Sequence, residues 1–229
     1  MAMSQWVRLP SAWIEGKGLT AFQWKEGGSD NTAALMALIA IAHRADQETG
    51  LARVTYDELC AAIDISRAKL SKGLSLLEGR DIIGRWQNGR SSFQLNGYDP
   101  TNGWCKLPAK SLYRGSVIEA FRHLRLRNKV ELNAIRLYLL FAARRGRDTN
   151  LANISHDRIT EYTGIRRHDI KAATSMLASL SLAYIERAPS ETNQYGVANA
   201  YRLAGIDTTR HMGTIGRRQS AQDSDIFGE

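Results

Sequence analysis

Only two cysteines occur in the 229 residues, Cys60 and Cys105, far apart and outside any Cys-x-x-Cys or Cys/His spacing. That scarcity argues against a disulfide framework and against structural zinc, leaving two reduced thiols in or near a core. Long apolar runs are missing too. The longest, Ala33 to Ala42, falls well short of the roughly 18 residues that span a bilayer and lies too far inside the chain for a signal peptide. A cytosolic protein with no membrane partner is expected. Motifs that carry catalysis are likewise lacking: there is no His-x-His, no His-Glu-x-x-His and no Gly-x-Ser-x-Gly, and Gly16-Lys17-Gly18 lacks the spacing of a phosphate-binding loop. His43, His123, His156, His168 and His211 share no metal-site spacing. The expectation is a protein that is not an enzyme, without cofactor or metal.

What is present is positive charge, and its placement is uneven. Residues 99–205 hold 17 Lys and Arg against nine Asp and Glu, whereas residues 1–98 hold 11 against ten and residues 206–229 three against four. The formal excess of +8 therefore sits in the second of these segments. Cationic surface of this kind draws in polyanions by steering and by releasing their counterions, although composition alone fits a merely soluble basic surface equally well.

The chain repeats itself. Trp6-Val7-Arg8-Leu9-Pro10 returns as Trp104-Cys105-Lys106-Leu107-Pro108, and the apolar stretch Ala34 to Ala40 returns as Ala134 to Leu140. Leu51-Ala52 returns as Leu151-Ala152, Thr55-x-Asp57 as Ser155-x-Asp157, Leu70 as Ile170, and Phe93-Gln94-Leu95 as Tyr201-Arg202-Leu203. So many matches in one order imply two copies of one domain, 1–98 and 99–205, joined near Asp99-Pro100-Thr101-Asn102-Gly103. Residues 206–229 are poor in apolar side chains and read as a flexible tail.

Each copy reads as a leading strand, a helix, a helix-turn-helix and a β-hairpin. In the second copy Ser155 caps a short helix to Tyr162, Thr163-Gly164-Ile165 turns, and a second helix starts at Arg166. Ile159, Ile165, Ile170, Ala173 and Leu177 fall on the facing sides, so Arg167, His168, Lys171 and Ser175 point outward, the arrangement that major-groove reading requires. Arg166 lies nearer the core side by helical angle and suits a phosphate. In the first copy Ser66 caps a helix presenting Arg67, Lys69, Ser71, Lys72 and Ser75, and Gly73 marks a close helix crossing where the second copy has Ala173. Its turn, Ile63-Asp64-Ile65, replaces the glycine with an Asp that tolerates left-handed geometry. The hairpins are Ile82 to Gln87 with Ser91 to Gly97, turning at Asn88-Gly89, and Leu182 to Arg187 with Asn199 to Leu203. Arg85, Asn88 and Arg90 decorate the first hairpin, where a tip can reach the DNA backbone or minor groove. Arg144, Arg145 and Arg147 close the long helix of the second copy, for phosphate contact or for capping its dipole. Ser116 to Leu126 reads as an additional amphipathic helix with Val117, Ile118, Phe121 and Leu124 on one face, packed on its own domain or on a dimer partner.

The order Trp-x-Lys/Arg-Leu-Pro, apolar helix, Ser/Thr-x-Asp, turn, basic helix and hairpin resembles bacterial winged-helix DNA-binding proteins. Paired in one chain, from Trp6 to Ile206, it is similar to tandem winged-helix replication initiators of plasmids and phages. The fold expected is mainly α with small β-hairpins (α+β), two tandem winged helix-turn-helix domains. The resemblance implies double-stranded DNA as partner in a bacterial cytoplasm, repeated origin sites, a homodimer formed through the first domain, and contacts with a replicative helicase or its loader. By position, it assigns base reading to Arg167, His168 and Lys171, and by repeat to Arg67, Ser71 and Lys72. Two alternatives stay open: a transcriptional regulator binding a palindrome, and a winged-helix module for protein contacts.

Overall fold

A run such as Ala33 to Ala42 has no polar face to offer water, and in the computed structural model every one of these residues is fully buried. The structure describes residues 3–86, 92–146, 149–189 and 197–206. In the first repeat the order is β1 (Trp6–Pro10), α1 (Ala12–Glu15), a 3-10 turn (Gly18–Ala21), α2 (Gly28–Arg44), β2 (Leu51–Arg53), α3 (Tyr56–Ile63), α4 (Arg67–Gly79), β3 (Ile83–Trp86) and β4 (Ser92–Leu95). The second repeat follows with β5 (Trp104–Pro108), a 3-10 turn (Lys110–Leu112), β6 (Tyr113–Arg114), β7 (Val117–Ile118), a 3-10 turn (Glu119–His123), α5 (Lys129–Arg144), β8 (Leu151–Asn153), α6 (His156–Thr163), α7 (Arg167–Ser179), β9 (Ala183–Pro189) and β10 (Val197–Leu203). Among the described residues this gives seven α-helices and four small antiparallel sheets, compatible with the α+β class.

The repeats share one plan. Each long helix, α2 or α5, carries a pair of shorter helices and a three-stranded sheet, ordered β2-β4-β3 in the first repeat and β8-β10-β9 in the second. The third strand of each sheet, Leu51–Arg53 and Leu151–Asn153, is an addition to the expected hairpins. Three residues are too short for an alternation of apolar and polar positions to show, so these strands left only the repeated Leu-Ala as a trace. The hairpin strands also differ in length from expectation: β3 and β4 are shorter, while β9 and β10 run seven residues each.

Local chemistry explains the helix ends. Thr55 accepts from the Glu58 amide at 3.2 Å while the Glu58 carboxylate takes the Thr55 amide at 2.8 Å, a reciprocal cap that opens α3. Ser66 and Ser155 cap α4 and α6 through the amides of Lys69 and Arg158. The turns between the paired helices need a left-handed residue, supplied by Asp64 (φ 53°) and Gly164 (φ 68°). Gly73 sits where α4 crosses α2, and a Cβ there would lie 2.8 Å from the Ala34 nitrogen and 3.0 Å from the Ala33 carbonyl carbon. Backbone cannot yield as a side chain can. Gly73→Val is expected to cost about 1–3 kcal/mol by overpacking, read as a lower midpoint in urea unfolding.

The repeats do not stand apart. Strands β1 and β5 pair antiparallel with Arg8 opposite Lys106, Trp6 opposite Pro108 and Pro10 opposite Trp104. Equivalent residues exchange partners, so the register is that of a two-fold axis running between Arg8 and Lys106. Trp6 stacks on Trp104 at 5.9 Å, with Arg8 over Trp104 and Lys106 over Trp6. The segments after these strands then cross over. Glu15 and Lys17 of the first repeat pair with Arg144 and Glu161 of the second, at 3.0 and 2.8 Å. Pro108 and Tyr113 of the second repeat bind His43 of the first, at 2.8 and 3.1 Å. One hydrophobic cluster runs from Val7 to Leu203 through both repeats.

The stretch Ser116 to Leu126 departs from expectation. It forms β7 and a 3-10 turn instead of an α-helix; β7 pairs with β6 of its own repeat, as packing on its own domain implies, and also packs against α3 of the first repeat. Its apolar residues Ile118, Phe121 and Leu124 are buried as the spacing suggested. The same spacing serves an extended pair followed by a tight turn, which is why periodicity misread it. Ile206, assigned to the tail, packs on the core, and its carbonyl accepts from the Asn150 side chain at 2.7 Å. The remainder of the expected tail lies outside the described residues.

Candidate nucleic-acid interface

The α6–α7 pair is built as its spacing suggests. Ile159, Ile165, Ile170, Ala173 and Leu177 are all at most 2% exposed and close the space between the two helices and α5. That burial turns the opposite side of α7 outward, leaving Arg167, His168, Lys171 and Ser175 exposed in a row about two helical turns long. Arg166 precedes the helix as its cap residue and is exposed instead of lying toward the core.

Arg167 is not idle in the free chain. Its guanidinium pairs with Asp157 at 3.0 Å, and Arg67 pairs with Asp57 at 2.6 Å in the matching place of the first repeat. Both pairs are largely in solvent, where such contacts contribute at most about 1 kcal/mol. Either arginine can therefore leave its aspartate for a stronger bidentate acceptor such as a guanine edge. Lys171 has no ion pair among the described residues.

Several residues read as DNA contacts are committed within the protein. Lys69 pairs with Asp30 at 2.6 Å and bonds Ser29, tying the start of α4 to the start of α2. The second repeat makes the same tie with the charges reversed, Lys129 to Asp169 at 2.8 Å. Arg85 lies against Glu78, Ser75 and Tyr56, leaning on α4 and α3 instead of reaching out along the sheet. Arg144 joins Glu15 and covers the Tyr162 ring. Arg145 is half-buried beside Cys105, and its side chain donates to the neighbouring Gly146 carbonyl. Ser71 is half-buried, while Lys72 is exposed. Asn88, Arg90 and Arg147 lie outside the described residues. The exposed basic face is thus smaller on α4, with Arg67 and Lys72, than on α7.

Arg136 is a residue that the sequence reading passed over. It projects from α5 into the protein at 4% exposure, bonds Asn133 at 3.1 Å, and its buried Nε has no partner among the described residues. Burial lowers its pKa to about 10, so it stays charged. Met36 fills the matching position of the first repeat and is fully buried. Arg136→Met should therefore raise stability by about 1–3 kcal/mol, the cost of a buried group left unsatisfied, measurable as a higher melting temperature. The signal was available in the sequence as the one cation within the apolar stretch Ala134 to Ala143.

No known family matches this chain, and no curated protein is similar enough to count as a relative.

Proposed function

We propose that this chain is a sequence-specific double-stranded DNA-binding protein, built from two winged helix-turn-helix units, that acts as a plasmid or phage replication initiator on repeated origin sites. The observation that carries the reading is the row Arg167, His168, Lys171 and Ser175, exposed on α7 while the other side of that helix is buried against α5 and α6. A rigid helix presenting long donors after a tight turn fits the major groove, and the three-stranded sheet that follows provides the wing. The second repeat does most of the reading, since α4 offers fewer free cations and the first repeat is nearly neutral.

A second reading draws on the two-fold register of β1 and β5. Helices related by a dyad meet inverted half-sites, so one chain could cover a palindrome as a symmetric dimer does, which suits a transcriptional regulator.

The test is binding of the full chain to labelled duplex over a salt series, followed by selection from random sequence and footprinting. Affinity that falls steeply as salt rises supports duplex binding. Direct repeats in the selected sites favour the initiator and inverted repeats the regulator. No binding at low salt would leave the protein-contact module as the better account.

A further inference from the structure

A second cationic surface lies beside α7, in the loop that leads into α5. Between Glu119 and Glu131 the sequence AFRHLRLRNKV holds no acidic residue and four Lys or Arg besides His123. Leu124 and Leu126 turn inward onto the core, which sends Arg125 and Arg127 outward, and both are exposed. Neither has an ion pair among the described residues, whereas Arg122 is engaged with Glu119.

The loop is held in shape from below. Glu131, only 5% exposed, accepts from the backbone amides of Arg125 at 2.7 Å, Arg127 at 2.9 Å and Asn128 at 3.2 Å. Leu126 adopts a left-handed conformation (φ 56°) to present those amides to one carboxylate. At the matching position of the first repeat stands Asn31, whose amide does the opposite. It donates to the carbonyls of Gln23 and Glu26, and the loop there carries one lysine and one glutamate. The basic loop is therefore particular to the second repeat. Lys129 fastens it to α7 through Asp169, next to His168 at the start of the exposed row.

We infer that Arg125 and Arg127 form a phosphate clamp, gripping the backbone of a nucleic-acid duplex beside the groove that α7 enters. The inference rests on the duplex-binding reading above. Backbone contacts of this kind set register and orientation without reading sequence, and they hold best when the loop that carries them is rigid. Glu131 is a positioning residue here, since among the described residues its carboxylate bonds the loop amides.

The experiment compares the wild-type chain with Arg125→Ser/Arg127→Ser on a labelled duplex of mixed sequence, titrated by fluorescence anisotropy over a range of sodium chloride concentrations. Each lost phosphate contact lowers the steepness of log affinity against log salt by about 0.9, so the double variant should lose roughly two units of slope and bind on the order of thirtyfold more weakly at physiological salt. The ratio of specific to non-specific affinity should stay constant. Melting temperature should also hold, because serine keeps the amides that Glu131 binds. Arg125→Lys/Arg127→Lys should restore the slope. An unchanged slope in the serine variant, with wild-type binding intact, overturns the clamp alone. Failure of the wild type to bind duplex overturns the functional reading and the clamp with it.

Discussion

Arg167→Ala combined with Lys171→Ala is expected to weaken binding to the specific site by roughly 2–6 kcal/mol, at ~1–3 kcal/mol for each lost base contact. That corresponds to a loss between about thirtyfold and about twenty-thousandfold. The variant should fold normally, because both side chains are exposed and the only ion pair removed among the described residues is the solvent-facing one to Asp157. The measurement is anisotropy on the selected site and on a scrambled duplex in parallel. Loss of base reading shows as a collapse of the difference between the two, whereas loss of phosphate contacts lowers both together. Asp157→Asn should act in the other direction, releasing Arg167 and strengthening binding modestly. A footprint unchanged in the double variant would remove these residues from the interface.

The expected caps at Ser66 and Ser155 and the burial of Ile159, Ile170 and Leu177 hold because they depend on short-range rules. Residues three and four apart share a helix face, and serine or threonine before an apolar run caps a helix, whatever lies elsewhere in the chain. Gly73 was legible for a similar reason, since an interior helical glycine costs stability unless a close crossing requires it. What stayed hidden depends on the partner. Lys69 and Lys171 look alike in sequence, yet Lys69 has Asp30 and Ser29 within reach because α2 begins there, and Lys171 has solvent. Arg144 has the same history, its Glu15 lying 129 positions away on a segment that crosses from the other repeat. The crossing could not be read from either copy by itself. Val117 and Ile118 carry the right apolar character but no indication that their surface is α3 of the first repeat. Duplicated sequence invites the picture of two independent domains, and the β1–β5 pairing with its crossed segments replaces that picture with one shared core.

That shared core contains a group that should make the whole chain acid-sensitive. His43 is buried between the end of α2 and the second repeat's crossing segment, and burial, together with the adjacent Arg44 cation, pushes its pKa down from 6.5 to about 3. The Pro108 carbonyl can only accept, so Nε2 carries the proton of the neutral ring, and Nδ1 accepts from the Tyr113 hydroxyl. Once unfolded, the same imidazole titrates near 6.5, so between that value and about 3 the unfolded chain binds the extra proton. Stability then rises with pH through this window and is lost as pH falls below 6.5, by about 2 kcal/mol at pH 5 for a full 1.36 kcal/mol per unit. Carboxylates held below their usual range by hydrogen bonds, such as Glu186 under Arg202 and Asp46 under Thr49, act in the same direction but only nearer pH 4. Urea unfolding at pH 7, 6 and 5 isolates the histidine. His43→Gln, which can still donate to Pro108 and accept from Tyr113, should flatten the dependence over that interval. An equally steep loss in the variant would assign the acid sensitivity to another group.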